Sequence, residues 1–183
     1  PYFDEGFYQR FEKYGTTTYK NIVGIIPGND PVLKDEYIII GAHYDHLGVK
    51  NEQVYNGADD NASGTATIIE MARILKSRQS QLKRSIIVVA FDAEEKGLWG
   101  SYDLSEKLDV SKVKLMMSID MVGWLHKGKT LRLYGAATIK DGKIIDKKHL
   151  QLPHHVTNVI RCKNPRCITS IEQGLDQIVV LSD

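Results

Sequence analysis

Cysteine is almost absent from this chain of 183 residues: there are two, Cys162 and Cys167, and the first 161 residues carry none. That excludes a disulfide framework and a thiolate metal site from most of the length, and leaves the redox compartment undetermined. No apolar run approaches the roughly 18 residues that a membrane span needs, so no membrane helix is expected. Charge of one sign is also lacking. Lys plus Arg total 24 against 23 acidic residues, for a formal charge of +1, and nothing in that balance points to nucleic acid or an anionic membrane. The chain opens at Pro1 with neither a methionine nor a basic, apolar and small-residue leader pattern, so a processed product or a fragment is expected. Hydrophobic residues at 42% and charged residues at 26% are ordinary for one globular domain with an appendage.

The punctuation of the sequence predicts an α/β protein. Residues 1–19 are rich in Tyr and Phe without a clean period, and read as a packed arm or lead-in. Asn21 to Ile26 and Tyr37 to Ala42 read as strands separated by the breaker cluster Pro27-Gly28-Asn29-Asp30-Pro31. Asn61 or Ser63 can cap a helix whose apolar positions Ala66, Ile69, Ala72 and Leu75 run to about Lys76. Ser85 to Phe91 is a continuous β-branched run, as in a parallel sheet covered on both faces. Asp92 to Gly100 is its exit loop, Tyr102 to Leu108 a short helix, Val113 to Ile119 a third core strand and Thr130 to Tyr134 a fourth at an edge. Strands alternating with helices imply a mostly parallel central sheet with helices on both faces. From Ala137 the texture changes to a short β-rich tail with an Asp141-Gly142 hairpin signal, so a boundary is placed near Ala136, dividing 1–136 from 137–183.

Metal-binding residue types follow the core strands: His43 and Asp45, then Glu94 and Glu95, then Asp120, with Asp59 and Asp60 before the first helix. In open α/β sheets the carboxyl ends of the strands share one edge, where ligands bind. Carboxylates brought together there repel one another unless cations neutralise them. Imidazole plus carboxylate without thiolate suits hydrolytic zinc, manganese or cobalt. His43 and Asp45, two apart on an extended chain, face the same way, so Asp45 can accept from the imidazole while the other nitrogen binds metal. Taken singly, each group is ordinary at a strand end, in a turn or at a helix start. Their joint occurrence is not ordinary. His46, Glu70, Trp99 and Trp124 are assigned to surface, helix face and packing.

Four motifs occur in order: Gly-Ala-His43-Tyr-Asp45-His-Leu-Gly, Asn-Gly-Ala-Asp59-Asp60-Asn-Ala-Ser-Gly, Phe-Asp-Ala-Glu94-Glu95-Lys-Gly-Leu-Trp-Gly-Ser and Ser-Ile-Asp120-Met-Val-Gly. Over about residues 14–136 the chain thereby resembles the co-catalytic zinc exopeptidases that include bacterial leucyl aminopeptidase and glutamate carboxypeptidase. The resemblance implies that His43 and Asp120 bind one zinc, Asp60 bridges both ions, Glu95 binds the other, Glu94 is the general base and Asp45 orients His43. It implies a peptide substrate with a free N-terminus and two Zn2+ per complete site. The family's last zinc ligand, a histidine well beyond the Asp120 position, finds no matching context, so a truncated core holding one ion tightly is expected.

The tail, with Leu-Pro-His-His-Val-Thr-Asn-Val-Ile-Arg-Cys162-Lys-Asn-Pro-Arg-Cys167-Ile-Thr, resembles the zinc-ribbon region of the aspartate carbamoyltransferase regulatory chain. That resemblance implies half of a four-cysteine zinc site at Cys162 and Cys167 and a tail able to contact another protein chain. Two function classes are therefore carried forward: a zinc aminopeptidase, or a catalytically incomplete metal-binding fragment or interaction module. The first resemblance favours an extracytoplasmic or secreted location, the second a cytoplasmic one.

Overall fold

The structure, a computed structural model, describes residues 1–124 apart from 5 and 16, and in addition the strand pair Val156–Thr157 and Ile178–Val179. It divides into two compact units, Pro1–Trp124 and Leu125–Asp183. In the second, the two short strands pair antiparallel. The expected boundary near Ala136, the strand Thr130 to Tyr134, the Asp141-Gly142 hairpin and both cysteines lie outside the described residues.

In the first unit, β1 (Tyr8–Lys13), β2 (Thr17–Ile26), β3 (Tyr37–His43), β6 (Ser85–Phe91) and β7 (Val113–Ser118) form a five-stranded sheet in the order β1-β2-β6-β3-β7. A small hairpin of β4 (Val49–Lys50) and β5 (Gln53–Val54) stands apart from it. The α/β class holds, but the sheet is mixed rather than mostly parallel. β3 runs parallel to β6 and to β7, whereas β2 is antiparallel to both β1 and β6. The chain crosses over through a helix, α1 (Gly64–Ser77), between β3 and β6, which permits parallel pairing, while the β1–β2 connection is a tight turn that permits only antiparallel pairing.

That turn carries Tyr14 and Gly15 at positive φ, 58° and 72°. Glycine adopts such a conformation without penalty, but tyrosine there is uncommon and is no turn signal. In sequence the segment holding β1 therefore reads as an arm rather than as a strand. α2 (Trp99–Lys107) likewise begins three residues before the expected Tyr102.

The two faces of the sheet are covered by different helices. Val23, Ile39, Ile87, Val89 and Phe91 pack with Leu104 and Leu108 of the α2 segment. Ile26, Ile40, Ala42 and Ile86 pack on the other face with Ile68 of α1. Neighbours in sequence such as Ile39 and Ile40 thus enter opposite cores, as the strand period of two requires, and both strands read as unbroken apolar runs. The inward stripe of α1 is buried Ile68 with half-buried Met71 and Leu75; of the expected positions Leu75 lies on it, whereas Ile69 is 65% exposed. Apolar residues occur on both sides of this helix, so spacing alone does not select the face.

Ile87 sits at the centre of the sheet with no exposed surface. Ile87→Val removes one methylene from a packed site and is expected to cost about 0.5–1.5 kcal/mol. Urea unfolding should show this as a lower midpoint at unchanged slope.

Candidate metal centre

Because β3, β6 and β7 are parallel, their carboxyl ends meet at one edge of the sheet. β3 ends on His43, the loop after β6 carries Glu94 and Glu95, and Asp120 lies two residues past β7. A turn at Ala58–Ser63 brings Asp60 to the same edge on its way into α1. Thr65 in the first turn of that helix donates its hydroxyl to the His43 carbonyl oxygen at 2.9 Å, which ties the helix to the strand end.

The imidazole of His43 is buried, 4% exposed. Its Nδ1 lies 3.1 Å from the Asp45 carbonyl oxygen and 3.5 Å from the Asp45 carboxylate. A proton on Nδ1 donates to that carbonyl and leaves Nε2 with its lone pair facing the carboxylates. Nε2 is 3.2 Å from Asp60, 3.5 Å from Asp120 and 3.9 Å from Glu94. One ligand atom each from His43, Asp60 and Asp120 fall within 4.8 Å of one another. The Asp45 carboxylate is turned mainly to the main chain, accepting from the Glu94 and Glu95 N–H groups at 3.0 and 3.2 Å. Asp45 therefore orients His43 chiefly through its own carbonyl while its side chain fixes the loop of the two glutamates.

Burial pushes the Glu94 carboxyl above the usual range, the charges of Glu95, Asp120 and Asp45 push it further, and His43 opposes them. Glu95 is raised by burial and then by Asp60, again against His43. For His43, burial alone acts downward, but Glu94, Asp120 and Asp45 outweigh it and its affinity for a proton rises. Negative charge is thus concentrated around one imidazole nitrogen, and a divalent cation relieves the same repulsion that a proton does. The donor set, one imidazole nitrogen and carboxylate oxygens, fits zinc, manganese or cobalt. Protons compete with the ion at these raised groups, so zinc affinity should fall as pH drops from about 7.5 toward 5. Isothermal titration across that range checks the sign, and an affinity that rises on acidification contradicts it.

Glu95 is not in the three-residue cluster. It lines a neighbouring cavity of about 210 Å³ with Tyr55, Gly57, Asp59 and Asp60. A second cavity of about 200 Å³ opens beside His43, Glu94 and Asp120, with Phe91, Leu98 and Met116 as its apolar walls. Glu70 pairs with Arg73 on the helix surface, and Trp99 packs against Tyr14 and Tyr19, as expected. Sequence reasoning assigns Asn61 and Ser63 to cap chemistry, and it counts Asp59 with Asp60 among the metal-binding residue types without giving it a role of its own. Asn61 does accept from the Gly64 N–H at 2.9 Å, but all three side chains also bond the segment around Asp120. Their one signal in the sequence is their place beside Asp60.

The profile of peptidase family M28 matches residues 21–170. The chain belongs to this family. It is 32% identical over 165 residues to a probable leucine aminopeptidase of Arthroderma otae, covering 86% of this chain and 40% of that protein. It also aligns with the structure of the LapA aminopeptidase of Legionella pneumophila at 31% identity and a TM-score of 0.51, covering 64% of this chain and 31% of that one. The chain spans 24% to 40% of the length of the curated aminopeptidases it matches. It is, in addition, 29% identical over 125 residues to the aspartate carbamoyltransferase regulatory chain of Bifidobacterium longum, covering 68% of this chain and 81% of that protein.

Proposed function

We propose that this M28 chain removes N-terminal residues from peptides, at a site where His43, Asp60 and Asp120 hold a zinc ion and Glu94 acts as general base. The observation that carries this reading is the convergence of His43 Nε2 with Asp60 and Asp120, with the Glu94 carboxylate 3.9 Å away. The names of the relatives support the substrate class, since both the Arthroderma otae protein and the Legionella pneumophila structure are described as aminopeptidases.

A zinc ion in such a site supplies Lewis acidity, polarising a carbonyl and acidifying a water. The chain's own residues do the rest. Glu94, whose raised proton affinity suits a group that must both take and give a proton, accepts one from the attacking water. As the carbon–nitrogen bond breaks, it delivers that proton to the leaving amine. Asp45 holds the Glu94 and Glu95 amides in place, and the Asp45 carbonyl keeps the His43 proton on Nδ1. Half-exposed Asp60 and Asp120 leave the site open on the side where a peptide enters.

Among the described residues a first ion is offered three ligands, whereas a second, shared by Asp60 and Glu95, is offered two. Three protein ligands plus water hold catalytic zinc and two rarely do, so the described residues hold one ion more tightly than the other. The second reading, a metal-binding fragment or interaction module, rests on the similarity to the carbamoyltransferase regulatory chain. Incubating the zinc-loaded chain with a peptide and with its N-acetylated form separates the two. Release of the first residue only from the free peptide is expected. Cleavage of neither, at full zinc content, favours the second reading, and equal cleavage of both excludes an N-terminal exopeptidase.

A further inference from the structure

We propose that Asn61 is a positioning residue that locks Asp60 and Asp120 into one geometry, an inference that rests on reading these carboxylates as metal ligands. Neither carboxylate stands on a regular element. Asp60 lies in the turn before α1, and Asp120 lies beyond the last residue of β7. The Ile119 N–H still bonds the Gly41 carbonyl oxygen of β3 at 2.8 Å, which anchors the chain just before Asp120 to the strand of His43 but not to the turn of Asp60, so a separate link must join that turn to the Asp120 segment.

The Asn61 carboxamide does so. It is 1% exposed, its Nδ2 donates to the Ile119 carbonyl oxygen at 3.0 Å, and its Oδ1 accepts from the Met121 N–H at 3.3 Å. One side chain thus grips the residues on both sides of Asp120, and it is covalently next to Asp60. Its third bond, from the Gly64 N–H at 2.9 Å, fixes the same oxygen to the start of α1. A Cβ on Gly64 would overlap both the Ile119 carbonyl and the Asn61 carboxamide, so the two segments meet closely at this point. Around the clamp, Asp59 accepts from the Gly123 N–H at 2.8 Å, and Ser63 Oγ accepts from the Val122 N–H at 3.1 Å. These act further along the loop and are less buried.

The chemistry is selective for asparagine. The Ile119 carbonyl needs a donor and the Met121 and Gly64 N–H groups an acceptor, and a carboxamide presents the two on separate atoms, whereas a Ser or Thr hydroxyl must serve all of them from a single oxygen. Aspartate keeps the acceptors but sets an oxygen against the Ile119 carbonyl, leaving that group unpaired. The hydrogen bonds of the Asn61 carboxamide all go to main-chain groups. Asn61 acts through backbone, as outer partners of metal ligands do, and loss of such partners typically costs about 10- to 100-fold in metal affinity.

The test measures zinc affinity by chelator competition, and the visible absorption of the cobalt-loaded chain, for the unaltered chain, Asn61→Ala, Asn61→Asp and Leu104→Ala. Leu104 is a buried core residue of α2 on the other face of the sheet from α1, so Leu104→Ala reports what lost packing alone does. Asn61→Ala should bind zinc about 10- to 100-fold more weakly and shift the cobalt bands. Asn61→Asp should recover part of the affinity, while Leu104→Ala keeps the affinity and spectrum of the unaltered chain. Unchanged affinity and cobalt spectrum in Asn61→Ala overturn the inference. Should that variant not fold, an unchanged spectrum in Asn61→Asp overturns it equally. An unaltered chain that binds no ion overturns the metal reading together with this one, whereas a chain that binds zinc but cleaves no peptide overturns only the peptidase reading.

Discussion

Glu94→Gln is expected to lower peptide hydrolysis by about 10²- to 10⁴-fold, the usual contribution of a positioned base, while zinc content stays near that of the unaltered chain. The amide keeps the shape of the side chain and the Glu94 N–H bond to Asp45 but cannot accept the proton of a water. Glu94 is outside the His43, Asp60 and Asp120 cluster, so the ion keeps its ligands. Removing one negative charge from a crowded group also lessens the repulsion among its carboxylates, which further argues against gross loss of structure. Initial rates on an aminoacyl anilide, with zinc measured by atomic absorption on the same sample, separate the two effects. Retention of more than a few per cent of the rate removes Glu94 from the base role. Loss of zinc in parallel makes it a ligand instead.

His43→Ala has the opposite signature. It removes the only nitrogen donor of the cluster and leaves the carboxylates of Asp60 and Asp120 without it. Loss of an outer partner alone costs about 10- to 100-fold in metal affinity, so loss of this ligand should weaken zinc binding by at least about 100-fold. Hydrolysis should disappear with the ion and return in part at high added zinc. His43 is also a buried polar group satisfied by Asp45, and its removal leaves a void at the end of β3. A drop in thermal stability is therefore expected in the metal-free state as well. Zinc affinity within a factor of about two of the unaltered chain would place the ion elsewhere.

The elements that carry these residues differ in how openly the sequence shows them. β3 and β6 are buried on both faces, and an unbroken run such as Ser-Ile-Ile-Val-Val-Ala-Phe is too short for a buried helix and too β-branched for a loop. β1 is an edge strand in which Gln9 and Phe11 are buried while their neighbours are exposed. Its inward glutamine bonds Asn21 and Asp103, a tertiary pairing that no period reveals. Val-Lys-Leu-Met-Met-Ser predicts a core strand at β7, yet Leu115, Met116 and Met117 are 37–46% exposed at the other edge of the described sheet. Strand direction is set by connections rather than by composition, which is why the antiparallel half of the sheet is hidden in the sequence.

The convergence of His43, Asp60, Glu94 and Asp120 is legible because each follows a recognisable strand or precedes a recognisable helix. The clamp of Asn61 on Ile119 and Met121 is not legible, because it arises only once two loops from distant parts of the chain lie side by side. The orientation of the Asp45 carboxylate toward the Glu94 and Glu95 amides is hidden for the same reason.

On the proposed reading, His43, Asp60 and Asp120 share one divalent ion. Anomalous diffraction at the zinc absorption edge, on crystals of the zinc-loaded full chain, tests it most directly. The expected result is one strong peak bonded to His43 Nε2 and to a carboxylate oxygen each of Asp60 and Asp120, with any peak between Asp60 and Glu95 weaker. A map without density among these three side chains, or with its strongest peak bound elsewhere in the chain, contradicts the account.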